Sequence, residues 1–169
     1  MCSLAALAVQ AAGPAGAQRR DQEPEQERPE TEVRLPAYPK ADGLIEFQVG
    51  GAGRFRFFID PASLALESGG EVRYTLVARS PAGLDNVSYE GMRCRTNAYR
   101  VYAYGNDGRW SARRTDRRDI EPRSAQRWHG ELQQFYFCPL NSAILSVDEG
   151  LDALRRRGHP AVRSTERAN

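Results

Sequence analysis

Apolar and polar side chains alternate along much of the chain between residues 44 and 112, the period-two pattern of strands that bury one face. The clearest run is residues 72–79, where Val72, Tyr74 and Leu76 alternate with neighbours that would point the other way. Asp60-Pro61 is expected to end one strand, and Asp107-Gly108 suits the positive φ of a hairpin turn. The pattern predicts strands at residues 45–49, 55–59, 72–79, 87–94 and 98–104, with shorter candidates at 64–67 and 109–111.

The period changes to that of a helix after residue 127. Apolar residues recur at positions 128, 132, 135 and 136, and Pro139 is expected to end that helix. A second helix is predicted at 147–157, with Ser146 and Glu149 as a capping box and Gly158 as its stop. Strands followed by helices indicate an α+β domain, an antiparallel sheet of five or six strands followed by two C-terminal helices.

The two ends of the chain differ in composition from this domain. Residues 1–17 contain a short apolar run and end in Ala15-Gly16-Ala17, which fits the cleavage pattern of a signal peptide, although no basic residue precedes the run. The alternative is an alanine-rich cytoplasmic tail. The run is too short to span a bilayer. We therefore expect a signal peptide at 1–17, a disordered, acidic, Pro-rich lead at 18–43, one domain at 44–160 and a disordered tail at 161–169.

Two cysteines, Cys94 and Cys138, remain in the chain if the first 17 residues are removed on export. In an oxidising compartment they are expected to form a disulfide that ties the first helix to the sheet. The alternative is a reactive thiol at Cys94, whose neighbours Arg93 and Arg95 would favour the thiolate. The pairing predicts a protein of the periplasm or cell envelope.

Charge is balanced overall but uneven along the chain. There are 24 basic and 22 acidic residues, for a net charge of +2, and ten arginines fall within residues 91–128. Arginines interleaved with aromatic residues can bind an anionic partner, although Tyr is also simply common in strands. The predicted binding surface, on which Arg100, Tyr102 and Tyr104 should share one face of a strand, consists of Arg93, Arg95, Arg100, Tyr102, Tyr104, Arg109, Arg113, Arg114, Arg117 and Arg118.

Residues that could carry catalysis are few. His129 and His159 lack the spacing of a zinc site, and no phosphate loop, dinucleotide fingerprint or nucleophile elbow occurs. A catalytic pair could be drawn from Cys94 and His129, but nothing in the sequence orients the imidazole. The sequence therefore predicts no enzyme activity, no cofactor and no metal site.

Several strings in the domain resemble the CNP-one-like (CNP1-like) family of small exported proteobacterial proteins. They are residues 57–64, 72–74, 77–80, 89–94, 99–103 and the helix end at Phe137-Cys138-Pro139, and the resemblance spans roughly residues 44–160. It implies an envelope protein and brings no catalytic or binding residue with it.

These observations predict an exported, non-catalytic binding or scaffolding domain, with a basic and aromatic sheet face and a partner in the envelope, for which an anionic component fits best. No nucleic acid and no transmembrane segment are expected. One alternative is an envelope hydrolase or thiol enzyme that uses Cys94 or His129. A second, if residues 1–17 are not a signal peptide, is a cytoplasmic nucleic-acid-binding protein, whose affinity should depend steeply on salt.

Overall fold

The computed structural model describes residues 33–50, 54–121 and 127–162, so the predicted signal peptide, the first part of the lead and residues 163–169 lie outside it. Strands come first along the chain and helices follow, as the sequence predicts. The elements are β1 (Ile45–Phe47), β2 (Arg56–Glu67), β3 (Glu71–Arg79), β4 (Asp85–Arg93), β5 (Ala98–Asn106), β6 (Arg109–Ala112), β7 (Arg118–Asp119), α1 (Arg127–Leu132) and α2 (Val147–Arg155).

The strands form one antiparallel sheet in which β1 to β6 follow each other in chain order. β7 joins the same edge of β5 as β6, paired at Ala98 and Tyr99, and is a short strand that the alternation pattern did not predict. The turn between β5 and β6 has positive φ at Asp107 and Gly108, which confirms the predicted hairpin. The α+β architecture is therefore confirmed, with seven strands in the described part.

Pro61 does not end a strand, contrary to the sequence prediction. β2 continues through it, and pairing with β3 shifts register between Asp60 and Ala65. The Ser63 hydroxyl accepts a hydrogen bond of 2.7 Å from the Thr75 backbone N–H, which replaces a ladder bond within this bulge. Bulges are among the places where a sheet accepts proline, so the two predicted short strands are one bent strand.

A second bulge separates residues that the sequence places on one face. The register of β4 and β5 shifts after the pair Tyr89–Ala103, so that Glu90 pairs with Val101. Tyr102 is the extra residue. Tyr104 therefore lies on the face of Tyr99 and Val101, opposite Tyr102, and the prediction that it shares a face with Arg100 and Tyr102 was wrong.

Both predicted helices are present with altered ends. A wider π-helical turn over Gln133–Phe137 continues α1, with the Cys138 N–H bonded to the Gln133 carbonyl at 2.9 Å. At α2, the Ser146 hydroxyl accepts from the Glu149 N–H, and the Glu149 carboxylate accepts from the preceding Leu145 N–H. Arg157, rather than Gly158, takes the left-handed conformation that ends α2.

The helices cover one face of the sheet, and residues 33–44 cover part of the other. The main core lies between sheet and helices, and contains Tyr74, Met92 and Phe137. On the opposite face, Val33 and Leu35 pack against Tyr89 and Tyr102. The lead predicted as disordered through residue 43 is thus packed on the sheet from residue 33 onward.

The predicted disulfide joins Cys94, just after β4, to Cys138 after the π-helical turn, with Cα atoms 5.3 Å apart. It closes a loop of 44 residues, for which loss of chain entropy in the unfolded state predicts about 4 kcal/mol of stabilisation. No helix in the described residues is both long and apolar enough to cross a bilayer.

Candidate functional site

A pocket of about 530 Å³ lies between the sheet and α1, and we call it the helix-side pocket. Its volume falls within the range of about 300–1,000 Å³ that is typical of small-molecule sites. Strands β2 to β5 form one wall, and Trp128 and His129 of α1 form the other. The full lining is Val49, Phe55, Phe57, Leu76, Ala78, Asn86, Val87, Ser88, Glu90, Tyr99, Val101, Tyr104, Thr115, Arg118, Arg127, Trp128 and His129.

A buried carboxylate occupies the inner end of the pocket. Glu90 of β4 is only 3% exposed, because strand alternation directs it toward the helices. One carboxylate oxygen accepts a hydrogen bond of 2.6 Å from the Ser88 hydroxyl. The other accepts from the Tyr74 hydroxyl at 3.1 Å and from His129 Nε2 at 2.8 Å. Three donors therefore hold the group in place.

These contacts keep Glu90 ionised although it is buried. Burial alone would raise the pKa of Glu90, but the charge of His129 when protonated and the hydrogen bonds from His129, Ser88 and Tyr74 lower it below its ordinary value. Burial, and then the charge of Glu90, raises the pKa of Tyr74 well above its ordinary value. Tyr74 thus stays a hydroxyl donor to the Glu90 carboxylate.

His129 is fixed from two sides. Its ring stacks on Tyr99 with centroids 3.6 Å apart, and Nε2 donates to Glu90. In the neutral imidazole this arrangement leaves Nδ1 as an acceptor. Nδ1 is buried and has no hydrogen-bond partner among the described residues, and the same holds for the indole Nε1 of the neighbouring Trp128.

The order of these groups differs from that of a nucleophilic triad. In a triad the imidazole lies between the hydroxyl and the carboxylate, so that it can take the hydroxyl proton. Here the Glu90 carboxylate lies between Ser88 and His129, each of which binds a different oxygen. The Ser88 hydroxyl therefore donates its hydrogen bond to a carboxylate and not to the imidazole that would activate it.

The outer end of the pocket has a different character. Phe55 and Tyr104 lie there and are each 43% exposed, which is high for aromatic side chains. Arg118 of β7 and Arg127 at the start of α1 are also exposed and line the pocket. Arg118 hydrogen-bonds Tyr99, whose pKa is nevertheless raised, mainly by burial. The pocket thus runs from a buried acidic end to an exposed mouth with two guanidinium groups.

A second buried carboxylate, Glu71, lies on the opposite face of the sheet. Its oxygens accept hydrogen bonds from the Tyr102 hydroxyl, from Arg73 at 3.0 Å, from Arg93 at 3.3 Å and from Arg117 at 2.9 Å. Burial opposes ionisation, but the hydrogen bonds of Tyr102, Arg73 and Arg117 with the charge of Arg117 lower the pKa of Glu71 to about 2. We call these five residues the Glu71 cluster.

The ten residues of the predicted binding surface do not form one surface. Three of them, Arg93, Tyr102 and Arg117, belong to the Glu71 cluster. Two more, Tyr104 and Arg118, line the helix-side pocket on the other face. Arg100 is buried at 5% exposure. The four that remain are exposed on loops and on β6, and these are Arg95, Arg109, Arg113 and Arg114.

Sequence reasoning missed the two carboxylates, and it did not identify Glu90, 39 residues away, as the partner of His129. One signal was available. Ser88, Glu90 and Met92 alternate on the core-facing side of β4, and a serine and a glutamate on a buried strand face need partners there. Glu71 had no comparable signal, since it directly follows two glycines in a turn.

A family model described as the CNP1-like family matches residues 23–155, well over half of the chain. The match includes the whole sheet, both helices and the disulfide. Searches of curated proteins and of solved structures give no significant match. In the described part of the chain, no group of three or more His, Cys, Asp or Glu side chains is placed to hold a metal ion.

Proposed function

The chain belongs to the CNP1-like family, and we propose that its domain is a non-catalytic binding module of the cell envelope whose ligand site is the helix-side pocket. The observation that carries the proposal is the pocket itself. It is large enough for a small molecule, mostly apolar, and ends in polar groups fixed by Glu90. Small-molecule sites commonly combine an apolar cavity with a few convergent polar groups.

The arrangement of reactive groups supports binding rather than catalysis. Ser88 is separated from the imidazole of His129 by a carboxylate, so that a hydrolase based on His129 would not find an activated hydroxyl in Ser88. Cys94 is bonded to Cys138, so that the thiol alternative would require the disulfide to be reduced first. Neither chemistry has its nucleophile ready in this fold.

The disulfide also supports an envelope location. Disulfides persist in oxidising compartments such as the periplasm and are rare in the cytosol. Together with the signal peptide expected at residues 1–17, it favours export over the cytoplasmic alternative. Nucleic-acid binding is supported less, because it calls for a continuous basic surface, whereas three arginines are engaged with Glu71. The exposed arginines Arg109, Arg113 and Arg114 remain our candidates for contact with an anionic envelope component.

Filling the pocket tests the proposal. Ala78 of β3 is half-buried and lines the pocket, whereas Ala112 of β6 is exposed and lies outside it. N-phenylnaphthylamine, a neutral apolar dye that fluoresces when bound, should bind the native protein saturably at one site. Ala78→Phe should abolish that signal and Ala112→Phe should keep it, with both variants folded by circular dichroism. Equal dye binding by the two variants would refute the pocket as the ligand site.

A further inference from the structure

We propose that the helix-side pocket takes an amphipathic carboxylic acid, held with its apolar body inside and its carboxylate at the mouth near Arg118 and Arg127. This inference rests on the binding function proposed above and adds the chemical class of the ligand. Three features of the pocket carry it: the shape of its apolar wall, the different polar groups at its two ends, and two buried polar atoms that have no partner among the described residues.

The wall of the pocket suits an apolar chain or ring. Phe57, Leu76 and Val101 are buried side chains of β2, β3 and β5, and they line the pocket on the sheet side. Trp128 stacks on Phe57, with ring centroids 5.1 Å apart and planes 24° from parallel. The exposed aromatic surface of Phe55 at the mouth extends this wall outward. An apolar ligand body would remove this surface from water.

Charge sets the orientation of the ligand. At the inner end, the Glu90 carboxylate already accepts the hydrogen bonds of Ser88, Tyr74 and His129, so that these donors are not available to a ligand carboxylate. Arg118 and Arg127 at the outer end would attract one, and the guanidinium fork matches carboxylate geometry. The acid group is therefore placed at the mouth, with the apolar body pointing toward Tyr99 and His129.

The buried polar atoms point to an occupant independently of charge. Within the described residues, Trp128 Nε1 and His129 Nδ1 are buried without a hydrogen-bond partner, and both side chains line the pocket. Buried polar atoms nearly always have a partner in a protein or in ordered water. A ligand hydroxyl can partner either atom, and a ligand carbonyl can accept from the Trp128 indole N–H, so that oxygenated acids should bind better than plain ones.

The experiment compares decanoate with decanol as competitors that displace N-phenylnaphthylamine from the native protein. Decanoate should bind about five- to tenfold tighter, the preference expected from two partly exposed ion pairs. The preference should shrink as salt is added. It should vanish in Arg118→Gln/Arg127→Gln, while decanol displaces the dye from that variant as before. The control Arg113→Gln/Arg114→Gln removes the same charge outside the pocket and should keep the preference.

The outcomes separate the two proposals. If both competitors displace the dye equally well from the native protein, the pocket binds apolar molecules but the acid assignment is wrong. If both double variants lose the preference for decanoate to the same extent, the net charge of the protein and not the mouth of the pocket selects the acid. That result also overturns the acid assignment. If the dye binds no site that Ala78→Phe closes, the binding function itself fails.

Discussion

Replacing Glu71 with glutamine should destabilise the protein strongly at neutral pH. The Glu71 side chain is 4% exposed and is the shared acceptor for Arg73, Arg93 and Arg117, whose side chains are 13–30% exposed. Glutamine keeps the size of the side chain but removes its charge, so that three partly buried arginines lose the carboxylate that they share, although Arg73 still contacts Glu67 at 3.2 Å. Breaking a buried ion pair costs about 3–5 kcal/mol, and because these arginines reach water we expect about 3 kcal/mol.

The stability lost in Glu71→Gln should become smaller as the pH falls. The pKa of Glu71 is about 2 in the folded protein, against an ordinary value of 4.5. A carboxyl group with a lowered folded pKa stabilises the fold fully above its unfolded pKa, and this contribution is lost as the pH falls toward the folded pKa. The lowered pKa contributes about 3 kcal/mol to the free energy of unfolding near neutral pH. Of this contribution, about 2 kcal/mol are lost between about pH 6 and about pH 3.

Urea unfolding followed by tryptophan fluorescence would measure both effects. The free energy of unfolding of the native protein should exceed that of Glu71→Gln by about 3 kcal/mol near pH 6 and by about 1 kcal/mol near pH 3. Glu67→Gln is the matched control, since Glu67 also pairs with Arg73, at 3.2 Å, but is 39% exposed. It should cost less than about 1 kcal/mol at either pH. A gap between native and Glu71→Gln that stays constant over this range would refute the assignment of a low pKa to Glu71.

Two further substitutions test what stabilises the domain around the two buried carboxylates. The double variant Cys94→Ser/Cys138→Ser should have a free energy of unfolding about 4 kcal/mol lower than that of the disulfide-bonded native protein. A loss below about 1 kcal/mol in urea titrations would show that the disulfide adds little. Gly91→Ala should cost about 1–3 kcal/mol, because its Cβ would lie 2.7 Å from Glu71 Oε1 and 2.8 Å from Tyr102. This cost should shrink in a Glu71→Ala background, which removes the side-chain atoms of Glu71 that the new Cβ would meet, and additive losses would contradict a shared contact.

Elements set by local patterns were predictable from the sequence. The alternation in β3, the Asp107-Gly108 turn and the capping of α2 by Ser146 depend on neighbouring residues, and each is confirmed. The two bulges were not predictable in this way. Pro61 is accommodated because Ser63 supplies a replacement acceptor to β3, and Tyr104 changes face because one extra residue enters β5. Both bulges depend on the register of the partner strand, which cannot be read from a single sequence.

The candidate site was less accessible to sequence reasoning than the fold. Glu90 and His129 are brought together only by the packing of α1 on the sheet. Nothing near either residue in the sequence identifies the other as its partner. The arginines were predicted by clustering along the chain, but clustering in sequence is not clustering in space when strands alternate. The sheet separates Arg117 from Arg118, so that the first pairs with Glu71 and the second lines the pocket on the opposite face.

The disulfide links the fold to the pocket. Cys94 lies four residues beyond Glu90, and Cys138 lies nine residues beyond His129, so that the covalent bond joins the strand that carries the carboxylate to the helical segment that carries the imidazole. The bond therefore ties together the strand and the helical segment that form the two walls of the helix-side pocket, although neither cysteine lines the pocket itself. If this pocket is the ligand site proposed above, the disulfide would hold its two walls together before a ligand arrives.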